Sequence, residues 1–355
     1  MRIEDIDVNF KIDNSVNEEK LVYLSVKEKP FDLYGFAQKD KFLRLPLEVA
    51  KDVNSGVESL CTHTAGGRVR FKTDSPYVAI SVKYPYIARF NHMPLTGTTG
   101  FDMYSFSDGK YTFIKSFSPA PDSGNSFEGI YYFGSAKLRD ITINFPLYNA
   151  ISEVYIGLDR KSTVDGGDKY INSKPIVYYG SSITQGGCAS RPGNAYQAII
   201  TRRFNVDHVN LGLSGRARGE KAISDYLASL DMSAFVYDYD HNAPSVEHLQ
   251  NTHEPLFKAV RSAHPEIPII MMTRPFDSYK QNVDARKAVV FKTYRNAVDS
   301  GDKNVYFIEG DKMQNILGGD SGTVDGCHPN DLGFMCMAEA VAKVIEPLIG
   351  VIRDN

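Results

Sequence analysis

Lys174-Pro175-Ile176-Val177-Tyr178-Tyr179-Gly180-Ser181-Ser182-Ile183-Thr184-Gln185-Gly186 is the stretch on which the fold turns. Residues 176 to 179 are a short run of branched and aromatic side chains, the pattern of a buried strand. The run stops at a glycine, and three hydroxyl residues follow within four positions. Pro192, Gly193 and Asn194 then lead into an apolar-periodic segment, Ala195 to Phe204, which predicts a helix. A strand, a serine-bearing turn and a helix together lift a hydroxyl off the carboxyl edge of a parallel sheet. Open α/β folds bind their ligands at that edge. Taken alone, Gly-Ser-Ser fits a solvated loop equally well.

Downstream, strand and helix alternate. Strands are predicted at Val206–Leu211, Ala234–Tyr239, Ile267–Met272 and Val305–Ile308, and helices at Gly219–Leu230, Val246–Ala263, Val283–Val298 and Asp331–Leu348. Five βα units of this kind predict a three-layer α/β domain with a five-stranded parallel sheet.

Upstream the pattern is different. Leu21–Val26, Arg68–Lys72, Tyr77–Tyr84, Tyr111–Phe117, Gly129–Phe133 and Asp140–Phe145 read as short strands. Gly66-Gly67, Asp74-Ser75-Pro76 and Ser107-Asp108-Gly109 separate several of them, and no amphipathic helix is evident. This half is predicted to be an all-β sandwich, jelly-roll-like. Phe31–Gly35 and Gly100–Tyr104 look alike but are too short to be a repeat. The domains are therefore set at 1–165 and 175–355. A polar linker at Lys161–Lys174 joins them, short enough that they should pack together.

Composition narrows the function. The chain has 355 residues, 42 % hydrophobic and 23 % charged, with a net charge of −3. Nothing in it favours nucleic acid or an anionic membrane. The four cysteines (Cys61, Cys188, Cys327, Cys336) lack disulfide-framework and zinc-ligand spacing. No apolar run reaches membrane-spanning length. The first residues, Met-Arg-Ile-Glu-Asp-Ile-Asp, lack the apolar core of a signal peptide. The expected location is the cytoplasm, or outside the cell with a signal peptide absent from this sequence. Oligomeric state is left open.

Three further loops follow predicted strands and so share the rim with Ser182. They are Asn210–Gly215, Asp238–Pro244 and Thr323–Phe334. A serine that attacks an acyl carbon needs a base within hydrogen-bond reach. His328 can be that base, and Asp325 can accept from its other ring nitrogen. The backbone N–H groups of Ser182 and Gly215 and the amide of Asn242 can form an oxyanion hole, each donor being worth about 3 kcal/mol of barrier. His241, Gln185, Arg191 and Arg274 lie on or beside this rim and are candidate substrate contacts, with loop pairing as the competing role for the arginines. Asp238 and Asp240 lack a third carboxylate at useful spacing, so no metal site is expected.

The blocks Gly180–Thr184, Asn210–Gly215, Asp240-His241-Asn242 and Asp325–Pro329 resemble those of the SGNH (GDSL-like) hydrolases in order and spacing. The resemblance spans roughly residues 175 to 350. It implies a flavodoxin-like fold and a serine ester hydrolase that needs no cofactor or metal. It also implies Ser182 as nucleophile, Gly215 and Asn242 as oxyanion donors and His328 as base. The first half, with Phe31-Asp32-Leu33-Tyr34 and Gly66–Phe71, is similar to the sandwich that precedes this domain in two-domain carbohydrate esterases such as acetyl-xylan esterases. The implied substrate is a small acyl ester, acetyl above all, on a carbohydrate. Lysophospholipase, thioesterase, acyltransferase and a glycan-binding protein with a vestigial site are the alternatives. Two positions depart from the family. Residue 181 is Ser where many members have Asp, and the third block reads Asp-His-Asn in place of Gly-x-Asn-Asp.

Overall fold

Alternation of apolar and polar side chains organises the first half. A computed structural model describes residues 3–8, 16–275, 282–314 and 321–354. Among these, ten strands precede residue 170: β1 (Leu21–Ser25), β2 (Asp32–Tyr34), β3 (Arg68–Thr73), β4 (Tyr77–Lys83), β5 (Phe101–Ser107), β6 (Lys110–Phe117), β7 (Ser126–Tyr132), β8 (Arg139–Asn144), β9 (Glu153–Asp159) and β10 (Val164–Gly166). They form two antiparallel sheets. One has the order β1-β9-β4-β7; the other runs β10-β3-β8-β5-β6, with β2 added beside β3. Val69, Phe71, Ile80, Val82, Ile141, Ile143 and Ile156 from the facing strands fill one core, which makes this half a β-sandwich.

Two features of this half correct the sequence reading. The stretch expected to be a polar linker starts as a strand, since Val164–Gly166 pairs with Phe71–Thr73. As a partly exposed edge strand, β10 can remain polar, which is why composition hid it. Short helices at Leu47–Val53 and Ser55–Leu60 also interrupt the strands, and at seven and six residues they are too short to show a helical period. Asn54 separates them and caps the second, accepting from Val57 N at 3.0 Å. This helical segment packs away from the sandwich. Leu43, Leu45, Ala50, Val57 and Cys61 share a core with Val177, Leu211, Leu213 and Phe235 of the second half.

The second half is a parallel sheet of β11 (Ile176–Gly180), β12 (His208–Gly212), β13 (Ala234–Asp238), β14 (Ile269–Met272) and β15 (Val305–Ile308). Its order is β12-β11-β13-β14-β15. Counted from β11 this is 2-1-3-4-5, the flavodoxin-like arrangement. Helices Tyr196–Phe204 and Asp331–Ile345 cover one face, and Lys221–Ser229, Val246–Ala263 and Val283–Asp299 cover the other. Every residue of β11 and β13 is buried, as a sheet covered on both faces requires. The strand order reverses at β11, so the carboxyl ends of β11, β12 and β13 open onto one crevice. Among the described residues no helix is long and apolar enough to cross a membrane.

The two halves meet through buried polar groups. Val69 and Phe71 of β3 point into the sandwich, while Arg68 and Arg70 alternate to the other side and are still buried. Arg68 pairs with Asp207, and it donates to Tyr170 Oη at 2.7 Å and His208 O at 3.1 Å. Arg44 lies deeper. It donates to His63 O (2.6 Å), Leu60 O (2.7 Å), Asn210 O (3.0 Å) and Gly212 O (2.8 Å). It has no carboxylate partner among the described residues, and burial brings its pKa down to about 10. The Arg44→Met variant keeps the apolar stem but takes the guanidinium from three buried carbonyls, those of His63, Asn210 and Gly212, while Leu60 O still accepts from His63 N at 3.1 Å. Its urea-unfolding free energy should fall by about 3 kcal/mol or more, since each buried unpaired group costs roughly 1–3 kcal/mol. A loss below about 1 kcal/mol would mean that water replaces the guanidinium.

Candidate active site

β11 ends at Gly180, where the next strand comes very close. A Cβ at 180 would stand 1.7 Å from Asp238 Oδ1 and 2.2 Å from Thr184 Oγ1, so only glycine lets the turn close on β13. Ser181 then caps a single helical turn, Ser182–Gln185, its Oγ accepting from Ile183 N at 3.2 Å. Serine here still supplies a side-chain acceptor, which answers the first departure from the family pattern. Ser182 occupies the first position of the turn, and its N–H has no partner among the described residues. Tyr148 of the sandwich donates its hydroxyl to Ser182 O at 3.0 Å.

Ser182 Oγ lies 2.9 Å from His328 Nε2, and His328 Nδ1 lies 2.8 Å from Asp325 Oδ2. The other carboxylate oxygen of Asp325 accepts from Cys327 N (3.0 Å) and His328 N (2.7 Å). Partial burial alone would push this carboxyl up. The His328 amide and ring and the Cys327 amide outweigh it and hold the group down at about 2. Asp325 is therefore ionised wherever an imidazole can act as a base, and its place on Nδ1 leaves Nε2 free to accept from Ser182. Cys188, a second thiol nearby, is buried and pushed up to about 12, with desolvation as the main cause. It stays a neutral thiol and does not compete as a nucleophile.

The loop after β12 is tied to this turn. Leu213 N donates to Gly180 O at 2.8 Å, and Ser214 N donates to Gln185 Oε1 at 3.1 Å. Gly215 follows with φ 68°, and a Cβ there would meet no atom within 4 Å. Glycine is needed at this position for its left-handed backbone and not for space. Its N–H has no partner among the described residues. The Asn242 amide spends one hydrogen on Leu213 O at 3.1 Å, which orients the other. Ser182, Ser214, Gly215, Asn242 and His328 line one cavity of about 390 Å³ with Asp240, His241, Arg274, Val283, Arg286 and Cys327.

The four candidate substrate contacts divide in two. His241 and Arg274 line the cavity, and both lean on buried Asp240: His241 Nδ1 is 3.0 Å from Oδ1, and Arg274 N donates to Oδ2 at 3.2 Å. Gln185 and Arg191 do not reach it. Gln185 is fully buried, and its amide also meets His63 Nδ1 and Leu147 O, each at 3.1 Å. His63 Nε2 continues to Tyr86 Oη at 3.2 Å, so this chain of bonds braces the Ser214–Gly215 turn from the sandwich side. Arg191 turns to the sandwich, pairing with Asp102 at 2.8 Å and Tyr104 Oη and lying over Phe113. Both face protein because the loop after β11 folds under the sandwich. The sequence reading missed Arg286 and Cys327 of the cavity, and His63 and Tyr148 of the first half. Cys327 could have been found from its place beside His328. The first-half residues carry no local signal.

Residues 173–346 match the sequence model of the GDSL-like Lipase/Acylhydrolase family, and residues 21–164 match that of the GxDLY family, the N-terminus of SGNH-hydrolase-type esterases. The GxDLY motif stands here as Pro30-Phe31-Asp32-Leu33-Tyr34, with proline in the glycine's place. No curated protein matches the chain. Among solved structures, a Bacteroides ovatus ATCC 8483 protein assigned as a GDSL-like lipase is 29 % identical, with TM-score 0.84, over 93 % of this chain and 98 % of that one. A salicylyl-acyltransferase from a tetracycline biosynthetic pathway is 18 % identical, with TM-score 0.76 and coverage of 94 % and 98 %. An acetyl xylan esterase from the rumen bacterium Butyrivibrio proteoclasticus is 12 % identical, with TM-score 0.58 and coverage of 93 % and 99 %. The last two establish likeness of fold.

Asp238, under the Ser182 turn, offers a test of this electrostatic arrangement. It is fully buried, and desolvation pushes its carboxyl from 3.8 up to about 8, with Asp240 adding to the rise and Thr184 opposing it. The folded chain thus keeps a proton that the unfolded chain gives up above about pH 4. Asp238 contributes its full stability below that pH, and the contribution is lost as pH rises toward about 8. Asp238→Asn is neutral at every pH and should escape this loss. The variant's unfolding free energy minus that of the original chain should grow steadily across the window. A difference that stays flat with pH would show Asp238 to be ionised in the folded state.

Proposed function

The chain belongs to the SGNH (GDSL-like) hydrolases and is an ester hydrolase, and on that premise we propose that it is a serine esterase releasing small acyl groups, acetyl foremost, from carbohydrate. The observation that carries this reading is the unbroken line from Ser182 Oγ through His328 to Asp325, with contacts of 2.9 and 2.8 Å. In the proposed reaction Ser182 Oγ attacks the acyl carbon and its proton passes to His328 Nε2. Asp325 stabilises the imidazolium. The tetrahedral oxyanion is received by Ser182 N, Gly215 N and the second amide hydrogen of Asn242. Collapse expels the alcohol, which takes the proton from His328. Water, activated by the same imidazole, then attacks acyl-Ser182 and restores the hydroxyl.

The cavity lining supports a small acyl group and a hydroxylated leaving group. Among the described residues that line the cavity, Val283 is the one aliphatic side chain. Serine, asparagine, histidine and arginine side chains surround it, a lining that hydrogen-bonds sugar hydroxyls and gives an alkyl chain little to bury against.

Ser182→Ala should abolish ester hydrolysis with unchanged thermal stability. Turnover retained in a pure sample would move the nucleophile elsewhere. His328→Ala should lose more activity than Asp325→Ala, because an orienting carboxylate matters less than the base it orients. Equal kcat values for the two would contradict this division of labour.

Chain length tests the acyl group. Along p-nitrophenyl acetate, butyrate and octanoate, kcat/KM should fall, and acetylated oligosaccharides should release acetate. An apolar tunnel would instead gain roughly 0.8 kcal/mol per buried methylene, so a preference for octanoate would favour a lipid substrate.

A further inference from the structure

We propose that His92 and Cys188, beside the catalytic crevice, form with His328 of its lining an inhibitory binding site for a borderline divalent cation, zinc foremost. The ligand atoms of these three residues all lie within 4.8 Å of one another. They come from three distant segments: the sandwich loop after β4, the loop after the Ser182 turn, and the turn that opens the last long helix. The His92 and His328 ring centroids lie 5.8 Å apart, with the ring planes tilted by 52°. Cys188 is pinned against the His328 turn by its own amide, which donates to Pro329 O at 2.9 Å.

The chemistry of the donor set selects the ion. Two imidazoles and one thiolate suit zinc, whereas magnesium and calcium require oxygen ligands. Zinc bonded to nitrogen and sulfur brings its ligand atoms to roughly 3.5 Å from one another. The present separations need to close by about an ångström, and exposed His92 can supply that by turning its ring. His328 is already prepared as a ligand. Asp325 holds Nδ1, and a carboxylate on one imidazole nitrogen with the metal on the other is the usual arrangement around zinc. The coordinating atom is then Nε2, the atom that otherwise faces Ser182 Oγ. Cys188 releases its thiol proton to solvent as sulfur bonds the ion, and water takes the fourth position. No electron changes hands. A bound ion and an activated Ser182 exclude each other.

Inhibition rests on the reading of His328 as the base, whereas binding does not, and two measurements on the full chain keep them apart. Zinc chloride titrated into a p-nitrophenyl acetate assay should abolish activity, and EDTA should restore it. His92→Ala and Cys188→Ala should keep their turnover and need at least about ten-fold more zinc for half-inhibition. Cobalt chloride added to Ser182→Ala should give a near-ultraviolet sulfur-to-cobalt band that is lost when Cys188→Ala is added. Absence of that band, or the same zinc sensitivity in His92→Ala as in the original chain, overturns the proposal. Exposed His92 carries this comparison even if the buried cysteine variant fails to fold. An inactive original chain that still shows the cobalt band refutes the esterase reading and leaves the metal site standing.

Discussion

One buried guanidinium holds the two halves in a single register. Arg44 reaches the carbonyls of Leu60 and His63 on its own side and those of Asn210 and Gly212 on the other. The last two belong to the strand that runs into the Ser214–Gly215 turn. Four neutral acceptors around one cation satisfy its hydrogen-bonding needs without a carboxylate. The planar fork fixes direction as well as distance, which an ammonium would not do. The Ser214–Gly215 turn is therefore set by a residue more than 160 positions earlier in the chain.

The same principle recurs along the boundary. Arg68 with Asp207 and Arg191 with Asp102 are ion pairs whose arginines and carboxylates come from opposite halves. Buried pairs of this kind add little net stability, because desolvation offsets their attraction. What they impose is orientation, since any other docking of the halves would leave charges buried and unpaired. A greasy interface could slide, whereas this one cannot. Tyr148 on the Ser182 carbonyl, and His63 through Gln185 on the Ser214 amide, carry that orientation to the crevice itself. The sandwich thus forms part of the scaffold that holds Ser182 and the Ser214–Gly215 turn.

Protonation states within the crevice follow from depth. Asp325, at the surface and surrounded by donors, remains an anion that can support an imidazolium. Asp238, with its carboxyl sealed beneath Gly180, holds a proton to about pH 8. Of these two carboxyls, then, the one that carries charge at neutral pH is Asp325, beside His328.

Much of this was legible in the sequence. The parallel sheet could be read because βα units carry a local period, and β15 and Val246–Ala263 have the bounds their periodicity predicts. Ser182, His328, Asp325, Gly215 and Asn242 could be chosen because carboxyl ends of parallel strands share one rim, so position along the chain already implies proximity. Alternation showed the sandwich, and the blocks with their spacing pointed to the family. Tertiary structure alone decided which polar side chains face the crevice and which face the other half. Gln185 and Arg191 lie in the rim sequence yet turn into the protein, and His241 and Arg274 turn into the cavity. It alone assigned Arg44 and the helices at 47–60 to the second core, and brought His92 opposite His328. The physical reason is that periodicity records which face of an element is buried. What that face is buried against depends on contacts between residues far apart in the chain, and a local pattern carries no trace of them.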